Sequence, residues 1–324
     1  MRIVFIASVF CLTFGLSFTP SINAEPLPEG NSGIAARYPG DAGISADPAV
    51  IFSDDFESYG NSANLTRRWN EVFHSSNIRI ANESGSFFSG NKALEFSVPR
   101  QTSEVSNNVI KYISPERDVL FLRYYAKFDS AFNVLGSSHN GSTISAQYCC
   151  PGTRADGYNK FFVSYEAWRG EYDAANPGNL NLYIYHPEQR DVWGDHFFPT
   201  GRVVPFDKTP GNFGPTFVAR QDVIPTLGRW YCYELMVKTN TPGQRDGRIA
   251  LWLDGKIIAD YPNIRLRETN ALKIDRFTLD LHVRSNILGV AKKWYDNVVA
   301  ATSYIGPMVP VGPINPPTDL RIVR

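Results

Sequence analysis

The chain has 324 residues with 32 Lys and Arg against 32 Asp and Glu, so no net field draws it to nucleic acid or to an anionic membrane, and a site for a charged ligand must be local. Hydrophobic residues make up 43 % and aromatics 13 %, a composition that excludes a disordered chain and suits a packed core.

Residues 1–24 carry Arg2, an apolar run from Ile3 to Phe18 and a small, polar stretch ending at Ala24, the order of a secretory signal peptide. Thr13, Ser17, Thr19 and Pro20 interrupt the run before it reaches the roughly twenty apolar residues that cross a bilayer. Export with cleavage is expected, leaving a secreted protein, extracellular or periplasmic, that is off the membrane and monomeric. Cys11 leaves with the leader, and the odd set Cys149, Cys150 and Cys232 allows one bridge at most and lacks zinc-finger spacing. In a strand, Cys149 and Cys150 point to opposite faces, so only one of them could meet Cys232.

Residues 25–50, rich in Pro and Gly, keep neither the helical nor the strand period and read as an irregular, peripheral arm. From residue 51 to 305, short alternating segments recur between turn clusters such as Pro151-Gly152 and Asn176-Pro177-Gly178. In 120–128, Leu120, Leu122, Tyr124, Ala126 and Phe128 face the core, and Arg123, Tyr125 and Lys127 face away. In 142–149, Ile144, Ala146 and Tyr148 oppose Thr143, Ser145 and Gln147; in 180–185, Leu180, Leu182 and Ile184 oppose Asn181, Tyr183 and Tyr185. A hairpin over 229–254 ends in an Asp254-Gly255 turn. In 274–284, Phe277, Leu279, Leu281 and Val283 oppose Arg276, Thr278, Asp280, His282 and Arg284, a polar row richer in hydrogen-bonding groups than solvation requires. Residues 306–324 form a Pro-rich C-terminal tail favouring extended chain. Strands without helices predict an all-β fold, a two-sheet antiparallel jelly-roll sandwich of one domain.

Phe52-Ser53-Asp54-Asp55-Phe56-Glu57, the stretch from Trp230 to Asp254-Gly255, and Trp294-Tyr295-Asp296-Asn297-Val298, in that order, resemble concanavalin A-like lectin/glucanase domains. More narrowly they resemble the jelly-roll polysaccharide lyases acting on alginate or glucuronan. The resemblance implies a polysaccharide partner and a site in which an Arg and a Gln hold the uronate and His and Tyr move protons. Arg123 and Gln147 lie on plausibly matching strands, Cys149 stands where the family has a His, and His282 is the substitute; Tyr125, Tyr183 and Tyr185 all remain open as the phenol. Gln147, His282, Arg123 and Tyr183 form the candidate catalytic set. Tyr125, Lys127, Asn181, Tyr185, Asp280, Arg284 and His139 form the substrate-binding set.

An elimination α to a uronate carboxylate needs a neutraliser, a base and an acid; Arg supplies a planar fork of donors, and His or Tyr the proton transfers. His74, His139, His186 and His196 lie in or next to loops, and His139, beside Ser137, Ser138, Asn140 and Gly141, is the best placed of the four for a rim loop. No cofactor is required, although Asp54, Glu57 and Asp296, where the first and last strands meet, suit a structural calcium. A non-catalytic carbohydrate-binding module is the alternative. A glycoside hydrolase ranks below it, because Glu166 precedes Trp168 without the Glu-x-Asp-x-Glu pattern of related glucanases.

Overall fold

The computed structural model describes residues 25–311 except 101, 135–137, 171–173, 206–210, 215–216 and 284–290. The leader, the end of the tail and Arg284 therefore lie outside the described residues. The strands are β1 Val50–Asp54, β2 Glu71–Phe73, β3 Ile78–Ala81, β4 Ala93–Val98, β5 Val105–Arg117, β6 Val119–Phe128, β7 Ser138–His139, β8 Ser142–Ala146 and β9 Phe161–Trp168. They continue as β10 Asn179–Tyr185, β11 Asp195–Phe197, β12 Arg202–Val204, β13 Gly211–Asn212, β14 Tyr231–Lys238, β15 Gly247–Leu253, β16 Lys256–Ile264, β17 Ile274–Val283 and β18 Ala291–Ala301.

They make two antiparallel sheets. The eight-stranded sheet runs β16-β15-β14-β6-β18-β4-β3 with β1 beside β18, and the ten-stranded sheet runs β13-β12-β11-β10-β9-β8-β17-β5-β2 with β7 beside β17. Runs of consecutive strands, β14 to β16 and β8 to β13, are joined to strands distant in sequence at β14-β6-β18-β4 and β8-β17-β5, as in a jelly roll. The Asp254-Gly255 turn has φ of 50° and 76° at its two central residues, the left-handed pair that a tight hairpin requires.

Alternation puts Leu120, Leu122, Tyr124, Ala126 and Phe128 of β6 against Leu182 and Ile184 of β10 and Phe277, Leu279 and Leu281 of β17 in one apolar core. The opposite face of β6 meets a second apolar layer. Ile34, Ala35 and Ile44 of the arm bury themselves on Phe121, Met236, Ala250 and Trp252. The arm is irregular, built of four short 3-10 turns, but it is docked across the eight-stranded sheet rather than peripheral.

That docking relocates three expected site residues. Arg123 is fully buried on the outer face of the eight-stranded sheet, donating to Asp41 of the arm at 2.5 Å and to the Asn297 carbonyl at 3.0 Å. Tyr125, beside it, accepts from the Met308 amide at 2.8 Å, and Lys127 sits 4.6 Å from the Trp294 ring centre. Parity is as read, but the face is the outer one of the eight-stranded sheet, so Arg123, Tyr125 and Lys127 are removed from the polar row of the other sheet. Cys232 is buried on this sheet, whereas Cys149 and Cys150 are exposed beyond the end of β8 in the other.

The Arg123–Asp41 pair yields a stability prediction. Taking away one partner of a buried ion pair strands the other charge, at a cost of about 3 kcal/mol. Asp41 has φ of 57°, a conformation Asn tolerates, so Asp41→Asn removes charge without adding backbone strain. Urea unfolding should show Asp41→Asn less stable by about that amount, and Arg123→Met combined with it restored in part; an unchanged midpoint for Asp41→Asn would count against the arm as a structural clamp.

Candidate functional site

On the outer face of the ten-stranded sheet, β9 presents Phe162, Ser164, Glu166 and Trp168, β10 presents Asn181, Tyr183 and Tyr185, and β17 presents Arg276, Thr278, Asp280 and His282. Cross-strand register pairs Asn181 with Glu166, Tyr183 with Ser164 and with His196, Thr143 with both Ser164 and Thr278, and His282 with His139. Ser164, Glu166, Asn181 and Thr143 are buried, whereas the side chains of His139, His196 and His282 keep 23 %, 12 % and 17 % of their surface. A polar floor thus lies beneath a mouth of imidazoles.

Glu166 is the hub. Its Oε2 lies 2.6 Å from His139 Nδ1, and its Oε1, otherwise unpartnered, lies 3.6 Å from His196 Nδ1. Asn181 donates from Nδ2 to the Asn179 carbonyl at 3.1 Å, which turns its Oδ1 to His196 Nδ1 at 2.9 Å. An amide oxygen only accepts, so His196 carries its proton on Nδ1 and leaves Nε2 with a lone pair. The His196 ring stacks on Trp168 at 4.0 Å.

Tyr183 stands between the two imidazoles, 4.8 Å from each ring centre, and its hydroxyl accepts from the Gly194 amide at 2.9 Å. Burial raises the Tyr183 phenol well above its ordinary range, so it keeps its proton at neutral pH. The histidines are driven apart. Burial opposes the charge on His139, but the Glu166 carboxylate outweighs it and moves the imidazole up; burial, with the positive charges of His139 and Arg202, brings His196 down to about 3. Glu166 itself is pushed up by burial and pulled back by His139, and each partner favours the charged form of the other. Asp280, raised to about 6 by burial, accepts from Thr143 and Thr278 hydroxyls at 2.8 and 2.6 Å.

His139 is held from below. Asn140 exchanges two 2.9 Å bonds with the Ala167 backbone, and Tyr295, reaching across the core, donates from its hydroxyl toward the Gly141 carbonyl at 3.0 Å and the Asp280 carbonyl at 2.6 Å. A Cβ on Gly141 would fall 1.7 Å from the Tyr165 carbonyl oxygen, so no other residue permits this approach.

Of the residues singled out from sequence, His139, Asn181, Tyr183, Tyr185, Asp280 and His282 share this face, and His282 stacks 5.3 Å from His139. Asn181 is buried with its amide spent, so it orients His196 rather than reaching outward. Tyr185 is buried among Tyr148, Phe162 and Tyr183. Gln147 is not in the row. It has φ of 46°, ends β8, and is exposed, so Tyr148 takes the face position instead, 4.6 Å from Phe162. Glu166 lacks the hydrolase motif, but the alternation of 161–168 places it opposite the core. His196 gave no periodic signal, because its strand has three residues.

Asp54, Glu57 and Asp296 each accept hydrogen bonds from neighbouring donors. Asp54 accepts from Phe56 N, Tyr59 Oη and Trp69 Nε1, Asp296 from the amides of Phe88, Ser89 and Asn297, and Glu57 from those of Asn91 and Lys92. Among the described residues no three His, Cys, Asp or Glu gather for a metal. A separate cavity of about 440 Å³, lined by His186, Asp195, Phe197 and Arg265 among others, includes none of His139, Tyr183 and His196.

No protein-family model and no curated protein matches the chain. Solved structures do. The alginate lyase Aly36B, bound to an alginate trisaccharide, is similar with a TM-score of 0.57 at 17 % identity, over 79 % of this chain and 99 % of that one. The alginate lyase vAL-1 from Chlorella virus gives 0.52 at 15 %, over 79 % and 100 %, and the marine PL-14 alginate lyase from Aplysia kurodai 0.51 at 16 %, over 78 % and 99 %. At these identities the likeness is one of fold: this chain is a concanavalin A-like jelly roll with the two-sheet architecture of those lyases.

Proposed function

We propose that this protein is a secreted polysaccharide lyase that cleaves a uronic-acid-containing glycan by β-elimination, acting as a monomer and needing no cofactor. The observation that carries the reading is the trio His139, Tyr183 and His196, in which a charged and a neutral imidazole flank a protonated phenol. His139 neutralises the uronate carboxylate, so that negative charge developing on the sugar is met by a fixed positive one. His196 Nε2 takes the proton α to the carboxylate; the incoming carboxylate offsets the positive charge that keeps this base weak. The electron pair forms the double bond, the glycosidic oxygen leaves, and Tyr183 gives it a proton. Glu166 holds His139 charged, Asn181 fixes the tautomer of His196, and the aromatic surface of Tyr148 and Phe162 offers a face on which sugar rings stack.

Incubation with alginate, glucuronan and neutral glucans separates the readings. A lyase raises ultraviolet absorbance as unsaturated ends form; binding without that rise supports a carbohydrate-binding module, and new reducing ends without unsaturation support a hydrolase. Tyr183→Phe should lower the elimination rate by about a hundredfold or more while polymer binding persists; a variant as fast as the parent would take Tyr183 out of the chemistry.

The reaction also has a signed pH dependence. His139 acts as a cation, so kcat/KM falls as pH rises through its pKa, which Glu166 holds above the ordinary histidine value. Glu166→Gln removes that support and should move the alkaline limb down by about one pH unit or more. A limb that stays in place in this variant would show that the Glu166–His139 pair does not set it.

A further inference from the structure

We propose that Cys149 and Cys150 close on each other as a vicinal disulfide that locks the rim of the site beside Tyr148. The two thiols are exposed at the end of β8, and their Sγ atoms lie 2.8 Å apart, closer than non-bonded sulfurs pack. Cys232 is no partner for either, being buried in β14 of the other sheet. The loop is already shaped for the ring. Cys150 has φ of 56°, and the buried Lys160 ammonium donates to both the Cys149 and the Cys150 carbonyls at 2.8 Å, clamping the two peptides on one side. Its Nζ also lies 5.2 and 5.1 Å from the ring centres of Tyr148 and Tyr185, so clamp, cysteines and site aromatics form one contact set.

The oxidant is a low-molecular-weight disulfide. Either cysteine thiolate attacks it, expelling one thiol and forming a mixed disulfide; the neighbouring cysteine then displaces the second thiol. Two cysteines are oxidised, one small disulfide is reduced to two thiols, and the cysteine protons end on those thiols. Adjacent Cα atoms are about 3.8 Å apart, below the spacing of relaxed disulfides, so the ring is more easily reduced than a long-range bridge and responds to the surrounding thiol poise. Oxidation pins the segment 147–153, and with it Tyr148; reduction frees it.

The bond is read without any assay of activity, so its test is separate from that of the lyase reading. The secreted chain, freed of residues 1–24 and so of Cys11, is exposed to oxidised glutathione or to a reductant, blocked under native conditions with iodoacetamide, and mapped by mass. After glutathione disulfide the intact protein should be lighter by two hydrogens, with the 149–150 peptide unblocked until reduced, and amide exchange across 147–153 slower than in the reduced form. Cys232 should react only after unfolding in both forms. Cys149→Ser and Cys150→Ser should each retain a glutathione adduct on the surviving thiol. A stable adduct on the unsubstituted chain, linkage between chains, or full blocking of both thiols after oxidation would overturn the bond, and unchanged exchange in the bonded form would overturn the locking.

Discussion

The Glu166 carboxylate, withdrawn from water under the outer face of the ten-stranded sheet, is the constraint from which the rest of the site follows. A buried carboxylate must be paired. Here it draws His139 to 2.6 Å and, through that pairing, favours the cationic form of one imidazole. The charge so created then works against protonation of His196, which Asn181 has already fixed in a single tautomer. One desolvated acid thus produces two histidines with different jobs, on either side of a phenol that burial keeps protonated.

The fold pays attention to the same point from beneath: the loop carrying His139 is tied to β9 by Asn140 and to the opposite sheet by Tyr295, whose hydroxyl reaches Gly141 and Asp280. Lys293 of the same strand, buried in the core, donates to the Asn140 carbonyl as well. Side chains of the eight-stranded sheet therefore support the site across the interior although none of them reaches its surface. On its outer side that sheet is spent on structure, covered by the arm and joined to it by the buried pair of Arg123 and Asp41.

Where strands are long and regular, as in β6 and β17, sequence alternation assigned inside and outside faces correctly, and the polar row of Asp280 and His282 was legible for that reason. Alternation does not say which sheet a strand joins. Arg123, Tyr125 and Lys127 face outward as read, but β6 pairs with β14 and β18, so their face is the outer one of the eight-stranded sheet. Gln147 was misplaced by a single left-handed residue that breaks the period at the end of β8, and Tyr148 inherits its place. Glu166 and His196 become a pair only through the register of β9, β10 and β11, which no local pattern encodes.

The proposed chemistry requires two neighbouring histidines to rest in opposite protonation states. With five histidines in the chain, imidazole nitrogen NMR across a pH titration reads each one directly. His139 should titrate above the ordinary histidine value and His196 should stay neutral, protonated on Nδ1, down to about pH 3. Two histidines titrating together near the unperturbed value of about 6.5 would contradict it.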